Sequence, residues 1–173
     1  YNEVMIAVPV TLDRPLPLFT GLLRPIRAEP DVHVVHLPVT TEIARTGGIE
    51  FLALPKFLAE IEFSEKGDWI SGRLSEAGRH ILTLSVRKGP LQPSPRRRTH
   101  VLGVRDGRLL RCLVIQAGGE TAVSTNAADV KLELGDHPLS HELRELHLGR
   151  VTQGEYEPEA QLILTPVLET FAV

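Results

Sequence analysis

The stretch Ile49-Glu50-Phe51-Leu52-Ala53-Leu54-Pro55-Lys56-Phe57-Leu58-Ala59-Glu60-Ile61-Glu62-Phe63 decides how this chain is read. Its second half alternates. Phe57, Ala59, Ile61 and Phe63 fall on one side and Leu58, Glu60 and Glu62 on the other, the period of two that marks a strand. The same stretch sets a lysine, Lys56, directly after Pro55 in the most apolar part of the chain.

The strand pattern extends in both directions. Turn residues occupy 65–68, and 69–74 reads as the returning strand. In 80–86, Leu82, Leu84 and Val86 again share one face. Residues 101–104, the pair Asp106-Gly107 and residues 109–115 spell a two-residue hairpin. Further strands are expected over 121–125, 130–134 and 160–164. Upstream, 4–12 and the β-branched run 32–37 read as strands. The proline-rich 13–31 between them has room for one short helix near 18–23. Thr40 or Thr41 would cap a short helix over 41–47, ended by Gly47-Gly48. Residues 137–146 form the clearest helix. Short strands punctuated by 14 Gly and 13 Pro predict a mainly β chain, an antiparallel sandwich or barrel with few helices.

Composition narrows the function classes. A chain of 173 residues, 42% apolar and 24% charged, suits a single domain over 1–173 that buries its own core. A net charge of −3 argues against a dedicated nucleic-acid binder. No apolar run approaches the roughly 18 residues of a membrane span. The single cysteine, Cys112, makes neither an internal disulfide nor a cysteine-rich zinc site, and it points to a reducing, cytoplasmic setting. Within 109–115 it reads as a core residue of a buried strand. Residues 89–98, with Arg96-Arg97-Arg98, read as an exposed loop. His137 and His141 stand one helical turn apart, but no third ligand lies at a familiar spacing, so capping or surface roles are expected and no metal. The chain opens on Tyr1 and enters a strand at once, which reads as a start that is missing or removed.

Lys56 is the residue with chemistry to offer. Periodicity leaves two readings: an exposed side chain on an edge strand, or an amine drawn into an apolar interior. Burial disfavours the charged form of an amine, and an uncharged amine condenses with ketones.

Resemblance separates the two. The segment from Gly47 to Ala59 resembles the active-site segment of the acetoacetate decarboxylase family, where a Gly-x-Glu element precedes a Pro-Lys pair whose lysine lies six residues after the Glu. Here these are Gly48-Ile49-Glu50 and Pro55-Lys56. Tyr1-Asn2-Glu3-Val4 with Val8-Pro9-Val10 is similar to a second family block. Leu134-Gly135-Asp136-His137-Pro138-Leu139, followed by Glu142-Leu143, resembles a late helix found in many members.

The resemblance implies an antiparallel β-barrel, or cone of packed sheets, around an apolar cavity. It makes Lys56 the Schiff-base residue that attacks the ketone of a small β-keto acid. Glu3 becomes the neighbouring proton donor or orienting group. Glu50 would support Lys56 or the pocket wall, with Leu54 and Met5 lining the pocket. No cofactor is implied, and a homo-oligomer is. Two departures stand out: Phe57 replaces a second lysine of typical members, and Ile49 replaces the arginine of their Gly-Arg-Glu. The family's other pocket glutamate and an active-site arginine lie before the position at which this chain begins. The alternatives are an imine-forming aldolase or dehydratase acting on pyruvate-type acids, and an apolar-ligand-binding barrel without turnover.

Overall fold

The structure is a computed structural model, and it describes the chain apart from residues 11–30, 117, 125, 146–147, 158–160 and 169–173. The helix expected near 18–23 therefore lies outside the described residues. In chain order the strands and helices are β1 (Ile6–Val10), β2 (Asp31–Val39), α1 (Glu42–Leu52), β3 (Lys56–Leu58), β4 (Glu60–Lys66), β5 (Trp69–Glu76), β6 (Arg79–Arg87), β7 (Gln92–Ser94), β8 (Arg97–Arg105), β9 (Arg108–Gln116), β10 (Gly119–Ser124), β11 (Val130–Leu134), α2 (Pro138–Glu145), β12 (Leu148–Glu157) and β13 (Gln161–Leu168). The protein is mainly β with short helices, as its turn-rich pattern predicts.

The chain forms two compact units. The first combines Tyr1–Leu58 with Arg96–Ala117. Its sheet runs β1-β2-β8-β9, with β3 on β2. β1 and β9 pair antiparallel with their neighbours, whereas β2 pairs parallel with both β3 and β8. Val34, Leu37, Leu54 and Val101 form its buried cluster, with Ala7, Val32 and Leu52 against it. Burying an aliphatic side chain of this size contributes about 1.5–3 kcal/mol. Asp31 ties three strands together: it accepts from Arg111 Nε at 2.8 Å, and Arg111 also reaches His100 Nδ1 at 3.1 Å.

The second unit combines Ala59–Pro95 with Gly118–Val173. It holds two sheets, ordered β13-β12-β10-β7 and β11-β6-β5-β4. Leu74, Ile81 and Val86 are fully buried in it. His137 caps α2: its Nδ1 accepts from the Leu139 N–H at 3.2 Å, and its Nε2–H donates to Glu76 at 3.0 Å. Ser140 anchors the same helix by donating to the Ile81 carbonyl at 2.7 Å.

Each strand order is an open path among the described strands. Three local expectations change. α1 does not stop at Gly47-Gly48 but continues to Leu52, and Ala53 ends it at φ 51°. β9 is not a buried strand: it edges its sheet, Leu109, Val114 and Ile115 stay exposed, and Cys112 is half-buried. An apolar run reads alike on a buried strand and on an exposed edge. Residues 89–98 are not all loop, because β7 pairs with β10 and Arg97-Arg98 open β8.

Candidate active site

The site is assembled at one end of β2. Thr41 caps α1, its hydroxyl accepting from the Ala44 N–H at 3.3 Å. The helix ends at Ala53, whose N–H donates to the Ile49 carbonyl at 3.2 Å, while the Leu54 N–H reaches the Gly48 carbonyl at 3.1 Å. The chain then turns at Pro55. The Lys56 N–H closes the turn on the Leu54 carbonyl at 2.8 Å, and the Leu37 N–H donates to the Pro55 carbonyl at 3.1 Å. This lays β3 parallel on β2, with Lys56 opposite Leu37.

The other side of β2 receives the N-terminal residues. Glu3 bridges Val39. The Val4 N–H donates to Pro38, and the Thr40 N–H to Asn2, both at 3.1 Å. Pro38 has no N–H of its own, and it serves here through its carbonyl. Leu37 and Val39 stand two apart on one strand, so their partners Lys56 and Glu3 project to the same face.

Lys56 Nζ accordingly meets Glu3 Oε2 at 3.1 Å. Only 6% of the lysine side chain is exposed, against 41% of the glutamate. The Tyr1 ring lies 5.6 Å from Nζ, within the range of a cation–π contact. Gly48 explains how the amine is shielded. A Cβ there would overlap Lys56 Cδ and Cε and lie 3.1 Å from Cγ. The lysine stem therefore runs along the bare backbone of α1.

Of the residues singled out in the sequence, the structure brings Lys56 and Glu3 together. Leu54 is buried in the core cluster. Met5 is half-exposed. Glu50 is exposed on α1 and lines an open hollow of about 350 Å³ with Glu42, Ile43, Thr46, Gly47 and Phe51; neither Lys56 nor Glu3 belongs to that lining. Three contributors escaped the sequence reading: Tyr1, Gly48 as the bed of the lysine stem, and Arg105, which donates from β8 to the Ile49 and Glu50 carbonyls. The Gly-Gly pair was a signal, but it reads as a helix stop. Nothing in the sequence ties Arg105 to a helix more than fifty residues earlier.

An amine within hydrogen-bond reach of a carboxylate, its stem removed from water, can form an imine and exchange protons with its neighbour. Among the described residues no group of His, Cys, Asp and Glu is placed to hold a metal. No helix among them is long and apolar enough to cross a membrane.

The family model for acetoacetate decarboxylase (ADC) matches residues 1–167. No curated protein matches the chain. Among solved structures, an acetoacetate decarboxylase is 17% identical at a TM-score of 0.47, over 80% of this chain and 56% of its own. Another, from Legionella pneumophila, is 19% identical at a TM-score of 0.44, over 65% of this chain and 50% of its own. An enduracididine biosynthesis enzyme, MppR, complexed with the condensation product of pyruvate and imidazole 4-carboxaldehyde, is 16% identical at 0.40, over 65% and 50%. The chain thus spans about half the length of these structures. On the family match, the chain belongs to the acetoacetate decarboxylase family.

Proposed function

We propose that this member of the family is a Schiff-base lyase that decarboxylates a small β-keto acid such as acetoacetate. The observation that carries the proposal is the Lys56 amine, 6% exposed along its side chain and 3.1 Å from the Glu3 carboxylate.

In this reading the uncharged Lys56 amine adds to the ketone carbon, and water leaves to give a protonated imine. The bond to the carboxylate carbon then breaks. Its electron pair moves toward the imine nitrogen, carbon dioxide departs and an enamine is left. A proton returns to the enamine carbon, and water hydrolyses the imine to release the ketone and the free lysine. Glu3 lies close enough to take the ammonium proton before attack and to relay protons afterwards. By family resemblance alone, Leu54, Met5 and Glu50 belong to the substrate surround. The proposal needs no cofactor. It extends to a homo-oligomer by family resemblance and, from the single cysteine, to a cytoplasmic setting.

Lys56→Ala should abolish borohydride trapping of acetoacetate and release of carbon dioxide together. Trapping that persists in Lys56→Ala would remove Lys56 from the mechanism. A wild-type protein that traps pyruvate and condenses it with an aldehyde, without releasing carbon dioxide from acetoacetate, would replace decarboxylation by aldol chemistry at the same amine.

A further inference from the structure

We propose that Arg105 is a positioning residue for Lys56: it braces the end of α1 from β8 and thereby fixes the direction in which the lysine leaves the turn. The carbonyls at a helix end carry partial negative charge, and the last of them lack intrahelical partners; in α1 the Ile49 carbonyl holds the Ala53 N–H at 3.2 Å and has a lone pair to spare. α1 has no basic residue in its own last turn. Arg105 supplies the missing cation from another strand. Its Nη2 donates to the Ile49 carbonyl at 2.5 Å and also to the Glu50 carbonyl.

The brace acts on a turn that needs one. Ala53 takes a left-handed conformation, φ 51°, which a residue with a Cβ adopts only where its surroundings hold it. Those surroundings are on β8. Gly103, two residues before Arg105 and on the same face of the strand, lies so close that a Cβ there would overlap the Leu52 carbonyl oxygen and sit 2.8 Å from that of Ala53. β8 thus offers a bare backbone for the turn to rest on and a guanidinium to hold it.

From Ala53 the chain has no slack before Lys56. Leu54 N–H, Lys56 N–H and the Pro55 carbonyl are all engaged. A shift of the helix end is passed on to the lysine, whose stem lies along Gly48 of the same helix. Arg105 touches neither Nζ nor Glu3 in this arrangement, so it acts through the turn. The inference rests on Lys56 being the working amine.

The test is trace labelling of lysines with acetic anhydride in the intact protein, read by peptide mass for Lys56 against Lys66 and Lys131 as internal references. Arg105→Gln, folded by circular dichroism, should raise Lys56 labelling several-fold, leave the reference lysines unchanged, and slow acetoacetate trapping by about tenfold or more. Arg105→Lys should return Lys56 labelling toward the wild-type rate. If Arg105→Gln does not fold, Gly103→Ala displaces the same turn and should expose Lys56 in the same way. Unchanged Lys56 labelling in the folded variant overturns the inference, whatever the melting temperature does. Labelling that responds while the wild type traps no keto acid keeps the brace and sinks the proposed chemistry instead.

Discussion

Gly48→Ala separates the stability of the helix from the placement of the amine. Inside a helix, Ala is favoured over Gly by about 0.5–1 kcal/mol. At this position the new methyl would overlap Lys56 Cδ and Cε and lie 3.1 Å from Cγ. Carbon atoms rest at roughly 3.5–4.0 Å, so the stem must retreat by about 1 Å or more. The atoms in the way belong to a flexible side chain, not to backbone. Overpacking costs about 1–3 kcal/mol where neighbours cannot move, and here the neighbour can. The melting temperature should therefore change little. The amine should not be so fortunate, because a misplacement of about 1 Å can cost on the order of a hundredfold in rate. Thermal unfolding and the rate of borohydride trapping with acetoacetate, measured on the same sample, read the two effects apart. A Gly48→Ala protein that melts and traps like the wild type would refute the view that the bare backbone of α1 places Lys56.

Three other perturbations probe the site and the two helices. Glu3→Gln removes the carboxylate beside Nζ; trapping should slow by about a hundredfold, and the thermal midpoint should fall, because Lys56, 6% exposed, loses its carboxylate partner, as kinetics and thermal melts on one sample would show. His137→Ala deletes the buried cap of α2 and should destabilise by about 1–2 kcal/mol, visible as a lowered midpoint in urea with trapping per folded molecule unchanged. The hydrogen bond from Arg45, opposed in part by burial and aided by the charge of Arg45 itself, holds the Glu42 carboxyl below its ordinary value of 4.5. Its contribution to stability is thus complete above that value and is lost as pH falls through the lower folded value, so Glu42→Gln should flatten the acid side of a melting-temperature profile, slightly, since the pair is exposed.

Much of the architecture was legible in the chain because it is written locally. The Asp106-Gly107 pair takes left-handed angles, φ 50° and 70°, as a two-residue hairpin requires, and β8 and β9 follow on either side. His137 and Thr41 cap helices because their side chains accept from N–H groups a few residues away. What escaped is what depends on distant partners. Gly47-Gly48 reads as a helix stop, yet the need for a small residue at 48 comes from the Lys56 stem, and the stop falls to Ala53, held by β8. The strand 109–115 reads as buried because it is apolar, but its place at the edge is set by the order of the whole sheet. Within the site, the pairing of Glu3 with Lys56 was expected from family resemblance. No periodicity joins residues so far apart. The clamp from Gly103 and Arg105 had no sequence signal at all.

In the proposed reaction one shielded amine, on Lys56, forms the covalent bond to substrate. Incubating the protein with isotopically labelled acetoacetate and a reductant, then mapping the adduct by peptide mass, tests it most directly. One adduct per chain is expected, confined to the peptide that carries Lys56 and absent from Lys56→Ala. Label spread over Lys66, Lys88 and Lys131, or no label at any lysine, would contradict it.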